Sequence, residues 1–315
     1  MPTPPSPAAD APICLVYNAR SGKGQAGDAL TAVQLGCQAG GRALHAFPIS
    51  RDKPPREQAR AAVAMAQRVG GIAVVAGGDG TINAVAQAVL GSGCAFGVLP
   101  QGTFNYFGRN HGIPTETQPA VDLLLSQPPR PVQVGLVNDR VFLVNASMGL
   151  YATLLEEREH YKSRYGRSRW MALFAALATL TRRHRPWNLR LSWQGVQTEV
   201  QTSSLFVGNN ALQFQHIGVE DGRAVEQGEL AAVLIRPRGV LSQLGLVLNG
   251  FLRQLGRDDD VQTLSFRSLE VQPARGARRR SVKVAADGEI ERMTLPLRFA
   301  VSDEPLWLIK PAEAS

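Results

Sequence analysis

The stretch Gly71-Ile-Ala-Val-Val-Ala-Gly-Gly-Asp-Gly-Thr81 decides the reading of the first half of the chain. Its apolar run, free of polar residues, reads as a strand buried on both faces, the kind found inside a parallel sheet. Gly77-Gly78-Asp79-Gly80 closes the strand, and Thr81 to Leu90 reads as the following helix, with the Thr81 hydroxyl placed to cap it. A glycine pair at a strand end lets backbone N–H groups approach an anion, and the start of a helix favours negative charge. Asp79 would repel a bare phosphate, so the loop makes chemical sense when a cation or a protonated group shares the site. The structural alternative is a tight turn whose aspartate merely caps the helix.

Outward from this loop, strand and helix signals alternate. Ile13 to Tyr17 is an apolar run that ends in Asn18-Ala-Arg-Ser-Gly-Lys-Gly24. Arg42 to Ile49 reads as a second strand, Arg56 to Val69 as a helix, and Cys94 to Leu99 as a fourth strand ending at Pro100-Gln-Gly102. This rhythm predicts an α/β domain with an open, mostly parallel sheet and helices on both faces, whose ligands bind at the carboxyl ends of the strands. The first loop departs from a Walker A sequence, with Tyr17 where the first glycine belongs and Gly24 where the hydroxyl belongs. Gly22-Lys-Gly-Gln-Ala-Gly27 matches GxGxxG, but four residues separate it from the strand end and no acid closes the second strand to hold a ribose. What survives is a set of glycines beside Arg20 and Lys23, a suitable anion cradle. Leu99-Pro-Gln-Gly-Thr-Phe-Asn105 again places a glycine, a hydroxyl and an amide just past a strand.

The composition then changes. Pro128-Pro-Arg-Pro131 reads as a stiff hinge after a helix over Pro119 to Leu125, and strand signals predominate beyond it. They cover 132–137, 140–146, 187–193, 200–208, 230–236, 263–271, 281–286 and 293–300, interrupted by helical patterns at 168–183 and 241–255. A second domain with antiparallel pairing, a β-sandwich, is the economical reading. Ala286-Asp-Gly-Glu289 follows one of its strands, and by itself Asp-Gly is a hairpin turn.

Bulk properties narrow the classes further. With 315 residues, 44% hydrophobic and 19% charged, the chain is neither disordered nor a disulfide-stapled miniprotein. Cys14, Cys37 and Cys94 read as reduced core residues, and the five histidines lack metal-ligand spacing. The longest strongly apolar run, Trp170 to Leu180, is short of the roughly 20 residues that span a bilayer. The Pro-rich residues 1–10 read as a disordered leader without signal-peptide character. A formal charge of +8 favours a polyanionic partner: nucleic acid, phosphorylated metabolite or anionic lipid.

In order, Asn18-x-x-Ser-Gly-Lys-Gly, Gly-Gly-Asp-Gly-Thr, Leu-Pro-x-Gly-Thr-x-Asn and a late Asp-Gly-Glu resemble the diacylglycerol kinase catalytic-domain family, which includes bacterial lipid kinases and sphingosine kinases. Phe142 to Gly149 looks like that family's segment at the start of its second domain. The resemblance implies a Rossmann-like, NAD-kinase-like domain over 11–127, with 303–315 packing back on it, and a lipid-substrate β-sandwich domain over 131–302. It implies ATP and Mg²⁺ as cofactors, with Asn18, Arg20, Ser21, Gly22, Lys23, Ser50, Gly77, Gly78, Asp79, Gly80, Thr81, Gly102, Thr103, Asn105 and Glu289 at the nucleotide. Asp287 would be the general base and Asp79 the anchor for catalytic Mg²⁺. Departures are Tyr106 and Tyr151, where relatives carry acids, and Gln227, where relatives hold a structural Mg²⁺ that Glu226 or Asp221 would have to take over.

From Lys162 to Arg185 basic residues flank an apolar segment without any acid, which reads either as a peripheral anchor for an anionic membrane or as a buried helix with solvated ends. The leading expectation is therefore a cytoplasmic kinase, peripheral at the inner membrane face, that phosphorylates a lipid hydroxyl. A kinase for NAD or another soluble metabolite, and a catalytically silent nucleotide- or lipid-binding regulator, are the alternatives. No RNP-like aromatic motif accompanies the charge, so nucleic acid is not expected. The sequence does not choose between a monomer and a homodimer.

Overall fold

The uninterrupted apolar runs of the first half become parallel strands. In the computed structural model, which describes residues 4–18, 25–149, 186–211, 214, 222–236, 261–277 and 279–312, β1 (Ile13–Asn18), β2 (Leu44–Ile49), β3 (Ile72–Gly77) and β4 (Phe96–Pro100) pair in the order β2-β1-β3-β4. Every residue of β3 and β4 is buried. Ile13, Leu15, Ile72, Val74 and Ala76 share a core with α1 (Gln25–Ala39) and α5 (Thr117–Ser126). The alternate residues Cys14, Val16, Ala73 and Val75 are also fully buried, so both sheet faces are covered. Helix α2 (Pro55–Val69) buries Gln58, Ala59, Ala62, Val63 and Ala66 at helical spacing and ends on Gly70 in the left-handed region, a glycine stop. It packs against α3 (Asp79–Val89).

The chain divides into two units, 1–134 with 302–315, and 135–301. The expected hinge is instead a strand of the first unit. β5 (Pro129–Val132) is the sheet edge beside β18 (Leu306–Ile309), which runs parallel to β4 and antiparallel to β5. An edge tolerates prolines because their missing N–H groups need no partner there. The boundary thus follows Val134 rather than falling within the prolines. Within the Pro-rich leader, Pro5, Ser6 and Pro7 wall a cavity together with Gln67, Gly70 and Ser92 of the first unit.

The second unit holds two antiparallel sheets. Sheet B orders β10 (Val196–Thr202), β9 (Trp187–Trp193), β14 (Ser268–Pro273), β17 (Leu297–Val301), β6 (Gly135–Val137) and β7 (Arg140–Phe142). Sheet C orders β13 (Val261–Phe266), β12 (Leu230–Ile235), β11 (Ser204–Gly208), β8 (Asn145–Gly149), β15 (Ser281–Ala286) and β16 (Glu289–Thr294). Phe142, Leu191, Val271 and Phe299 of sheet B and Met148, Leu205, Ala232 and Val284 of sheet C fill one core, as in a sandwich. Each of the runs 132–137, 140–146, 200–208, 263–271 and 293–300, read as one strand from sequence, is in fact two. The first passes from the parallel sheet to sheet B, and the other four cross between sheets B and C. The breaks are as short as Ser203 or Arg267 alone. Both inner faces feed the same core, so the apolar signal continues straight through a crossing. A short helix, α6 (Gly222–Glu226), precedes β12. The helical patterns at 168–183 and 241–255, and Tyr151, lie outside the described residues.

Candidate functional site

The direction of winding reverses between β1 and β3, because β1 leads to β2 on one side while β3 and β4 lie on the other. Open sheets bind ligands at such a switch point, beyond the carboxyl ends of the strands. Asn18 ends β1 opposite Ile49, which precedes Ser50, and Gly77 ends β3 opposite Pro100 of β4. Asn18, Ser50, Gly77–Thr81 and Gly102–Asn105 therefore share one sheet edge. Ser50 is exposed in a tight turn, its N–H donating to the Lys53 carbonyl at 3.0 Å. Arg20, Ser21, Gly22 and Lys23 lie outside the described residues.

The second and third loops interlock through backbone. A Cβ on Gly78 would sit 3.4 Å from Gly102 Cα, and one on Gly102 would sit 3.0 Å from Gly78 Cα and 2.7 Å from Asn105 Oδ1. No side chain fits between them. The Gln101 N–H donates to the Gly77 carbonyl at 2.8 Å, tying the strand ends together. Helix α3 starts earlier than expected, at Asp79, with Gly78 as its N-cap and no side-chain cap. Thr81 is thus not the cap but a first-turn residue, and its Cβ would be only 2.9 Å from a Cβ on Gly77. Thr103 is exposed in the third loop.

Asp79 is not the N-cap of its own helix, although its own N–H is among the amides that stabilise its carboxylate. Its carboxylate accepts from the Phe107 N–H, with Oδ1 at 3.4 Å, and is also stabilised by the Asn105 and Tyr106 amides, where α4 (Tyr106–Asn110) begins. Burial outweighs these bonds and pushes the Asp79 carboxyl above its ordinary range. Asn105 is buried in the left-handed region at φ 49°, and its Oδ1 accepts from the Gly102 N–H at 2.7 Å. The Asn105 carboxamide oxygen therefore closes its own loop. Phe104 and Tyr106 stack across this residue with centroids 5.6 Å apart, and Phe104 is 52% exposed. Sequence reading missed this pair, although two aromatics flanking the Asn105 position were its signal.

In the second unit, Ala286 pairs with Glu289 across the two-residue loop Asp287-Gly288, whose φ angles are 46° and 88°. Positive φ at both positions marks a type I′ hairpin. The Asp287 carboxylate accepts three consecutive amides from the break between β7 and β8: Leu143 N–H on Oδ2 at 2.7 Å, and Val144 and Asn145 N–H on Oδ1 at 2.9 and 3.0 Å. The Asp287 N–H returns a bond to the Asn145 carbonyl at 2.9 Å. Asn209, buried, braces the same break by donating its backbone N–H to Val144 O and its Nδ2 to Leu143 O. Glu289 forms an ion pair with Arg140, whose side chain is 11% exposed against 46% for the acid. Neither Asn209 nor Arg140 stands in a recognisable motif, so only tertiary contact reveals them.

Mg²⁺ takes hard oxygen ligands, usually one or two carboxylates completed by water and substrate phosphates. Asp79 suits that pattern as a single carboxylate beside the glycine-bearing strand-end loop. Among the described residues no group of three or more His, Cys, Asp or Glu could hold a metal. Glu226 is exposed at the end of α6, and Asp221 lies outside the described residues. The basic segment 162–185 also lies outside them. No helix among the described residues is long and apolar enough to cross a membrane. Arg279, just before β15, packs its guanidinium 3.8 Å over the Trp187 ring.

Residues 12–137 match the family model of the diacylglycerol kinase catalytic domain. A protein of Pseudomonas aeruginosa named "Probable lipid kinase YegS-like" is 32% identical over 249 residues, 76% of each chain. A "Diacylglycerol kinase" of Staphylococcus haemolyticus is 30% identical over 137 residues, 43% of this chain and 41% of that one. The crystal structure of a diacylglycerol kinase from Bacillus anthracis superposes with a TM-score of 0.65 at 17% identity, covering 97% of this chain and 98% of that one, which shows a shared fold.

Proposed function

The chain belongs to the diacylglycerol kinase catalytic-domain family, and from that membership we propose that it transfers the γ-phosphate of ATP to a hydroxyl group of a membrane lipid. Kinase activity and ATP use follow from the family; the lipid acceptor, the Mg²⁺ ion and the residue roles are the proposal. The observation that carries it is the Gly78–Gly102 backbone contact at the switch point, where two glycine-bearing strand-end loops meet with no room for a side chain between them.

In this reading Asn18, Arg20, Ser21, Gly22 and Lys23 hold the nucleotide phosphates together with the amides of Gly77–Thr81. Gly102, Thr103 and Asn105 shape the pocket wall, and Ser50 lies at its margin. Mg²⁺ supplies charge neutralisation on the transferring phosphoryl group when bound, with Asp79 holding it directly or through water. Asp287 takes the proton from the attacking hydroxyl. We assign the proton to Oδ2, which carries one of the three amide bonds where Oδ1 carries two. Such base catalysis is worth about 10²–10⁴-fold, and the larger share of the acceleration comes from in-line positioning and charge stabilisation. Glu289 is assigned as a partner of the nucleotide or its metal.

Labelled ATP with Mg²⁺, offered over a lipid panel and NAD, tests this directly. Transfer to a lipid hydroxyl that collapses in Asp287→Asn is expected. Labelling of NAD alone overturns the lipid acceptor, and ATP binding without any transfer favours a silent regulator. We further propose that 162–185 docks on anionic membrane from the cytoplasmic side. Cosedimentation with phosphatidylglycerol vesicles should fall when Arg182, Arg183 and Arg185 become Glu, and unchanged binding rejects the anchor.

A further inference from the structure

The hairpin at Asp287-Gly288 needs no outside help to form, because a two-residue type I′ turn of Asp-Gly sequence matches the twist of its strands by itself. Nevertheless both of its acids are held by one short segment. Asp287 is gripped by the amides of 143–145, and Glu289 by Arg140, three to five residues upstream in the same stretch.

The strand registers show how the pair meets. Arg140 lies opposite Val137 in sheet B, and Glu289 lies opposite Ala286 in sheet C; Val137 and Ala286 both belong to the sandwich core. Cross-strand partners share a face, so Arg140 and Glu289 both turn inward at the rim of the sandwich. The Arg140 side chain is nearly covered while almost half of the Glu289 side chain stays open. An isolated charge so placed would swing out to water, where solvation is better. Arg140 instead keeps the carboxylate on the inner rim, beside Asp287, with one side accessible. A guanidinium is suited to this because its planar fork fixes orientation as well as charge.

We propose that Arg140 is a positioning residue for the phosphotransfer reaction: it fixes the orientation of Glu289, the acid assigned above to the nucleotide, so that segment 140–145 acts as a single brace for both acids of the turn. This rests on the function proposed above. The competing role is a plain clasp between the two sheets, which would contribute to stability without touching nucleotide affinity.

A double-mutant cycle on the full chain separates the two, reading KM for ATP, kcat and Tm for Arg140→Gln, Arg140→Lys, Glu289→Gln and the double variant. Arg140→Gln should raise KM for ATP by about tenfold, the scale on which orienting partners act, with a smaller change in kcat. Arg140→Lys should recover part of it. In the Glu289→Gln background Arg140→Gln should add nothing to KM, since no acid is left to orient. A fall in Tm with unchanged KM, or additive KM effects, overturns the positioning role while leaving the kinase reading intact. If Arg140→Gln does not fold, Arg140→Lys must still show a raised KM that disappears in the Glu289→Gln background. Absence of phosphotransfer by the natural protein overturns the function and this inference together.

Discussion

The turns at 77–80 and 286–289 solve one problem on two scaffolds. Each presents an aspartate whose carboxylate is stabilised by the amides of three consecutive residues from a neighbouring segment, 105–107 for Asp79 and 143–145 for Asp287. The constraints on the glycines differ. Around Asp79 they are dictated by space, since a Cβ at Gly102 would run into Gly78 and Asn105. Around Asp287 they are dictated by dihedral angle: a Cβ on Gly288 would meet nothing, yet φ there is 88°. A parallel sheet crowds its loops at the strand ends, whereas a hairpin projects its turn outward. The crowded turn is suited to wrapping a ligand in backbone, and the projecting turn to delivering a side chain.

The largest contrast expected is catalytic. Asp287→Asn should cut phosphotransfer by about 10²–10⁴-fold, and it should also destabilise the fold. One carboxamide oxygen cannot accept all three amides, and buried unsatisfied groups cost about 1–3 kcal/mol. Urea unfolding checks the second effect; lost activity at unchanged stability would mean that the amide grip is dispensable. Next come the glycines. Gly102→Ala should destabilise by about 1–3 kcal/mol through overpacking and abolish ATP binding in calorimetry. Gly288→Ala should cost about 1–2 kcal/mol from its left-handed backbone, while ATP affinity survives. Equal losses of affinity would erase the distinction between space and dihedral.

A smaller effect comes from pH. The folded-state pKa of Asp79 is raised above its ordinary 3.8, so the folded protein binds more protons than the unfolded chain across the window just above that value. Its contribution to stability is greatest below the unfolded pKa and is lost as pH rises through the folded one. Asp79→Asn should flatten that downward component in urea midpoints measured across the window, and an unchanged slope would refute it. The subtlest reporter is thiol labelling. Cys14, Cys37 and Cys94 are all buried in the first unit, and burial pushes the Cys14 thiol up to about 11. Native-state labelling by a disulfide reagent should therefore be slow, faster in Gly102→Ala, and unaffected by Gly288→Ala unless the units unfold together.

The first unit was largely legible because its strands are continuous apolar runs and its loops carry glycines whose spacing is local. The second unit was legible in composition and not in connectivity. Ser203 and Arg267 each end one strand and let the next enter the opposite sheet, and neither residue type signals a break. The reading of Asp287-Gly288 as a hairpin was correct, but nothing local announced that Leu143, Val144 and Asn145 would donate to its carboxylate. Likewise Thr81 looked like a cap, while the actual N-cap is Gly78, because the close approach of Gly102 favours a residue with no side chain there.

By itself, the sequence determined an α/β unit followed by a mainly β unit, the four glycine-bearing motifs and their order, and hence the family. These are local properties, encoded in periodicity and in backbone freedom at particular glycines. Only the tertiary structure decided that the prolines at 129–131 form a sheet edge, that the Asp79 carboxylate meets the amides of 105–107, and that Arg140 and Asn209 support the acidic turn. Such partners lie tens to more than a hundred residues apart, and a hydrogen bond or ion pair between them depends on which strands are neighbours. That is settled by burying one shared core, which no short stretch of sequence contains.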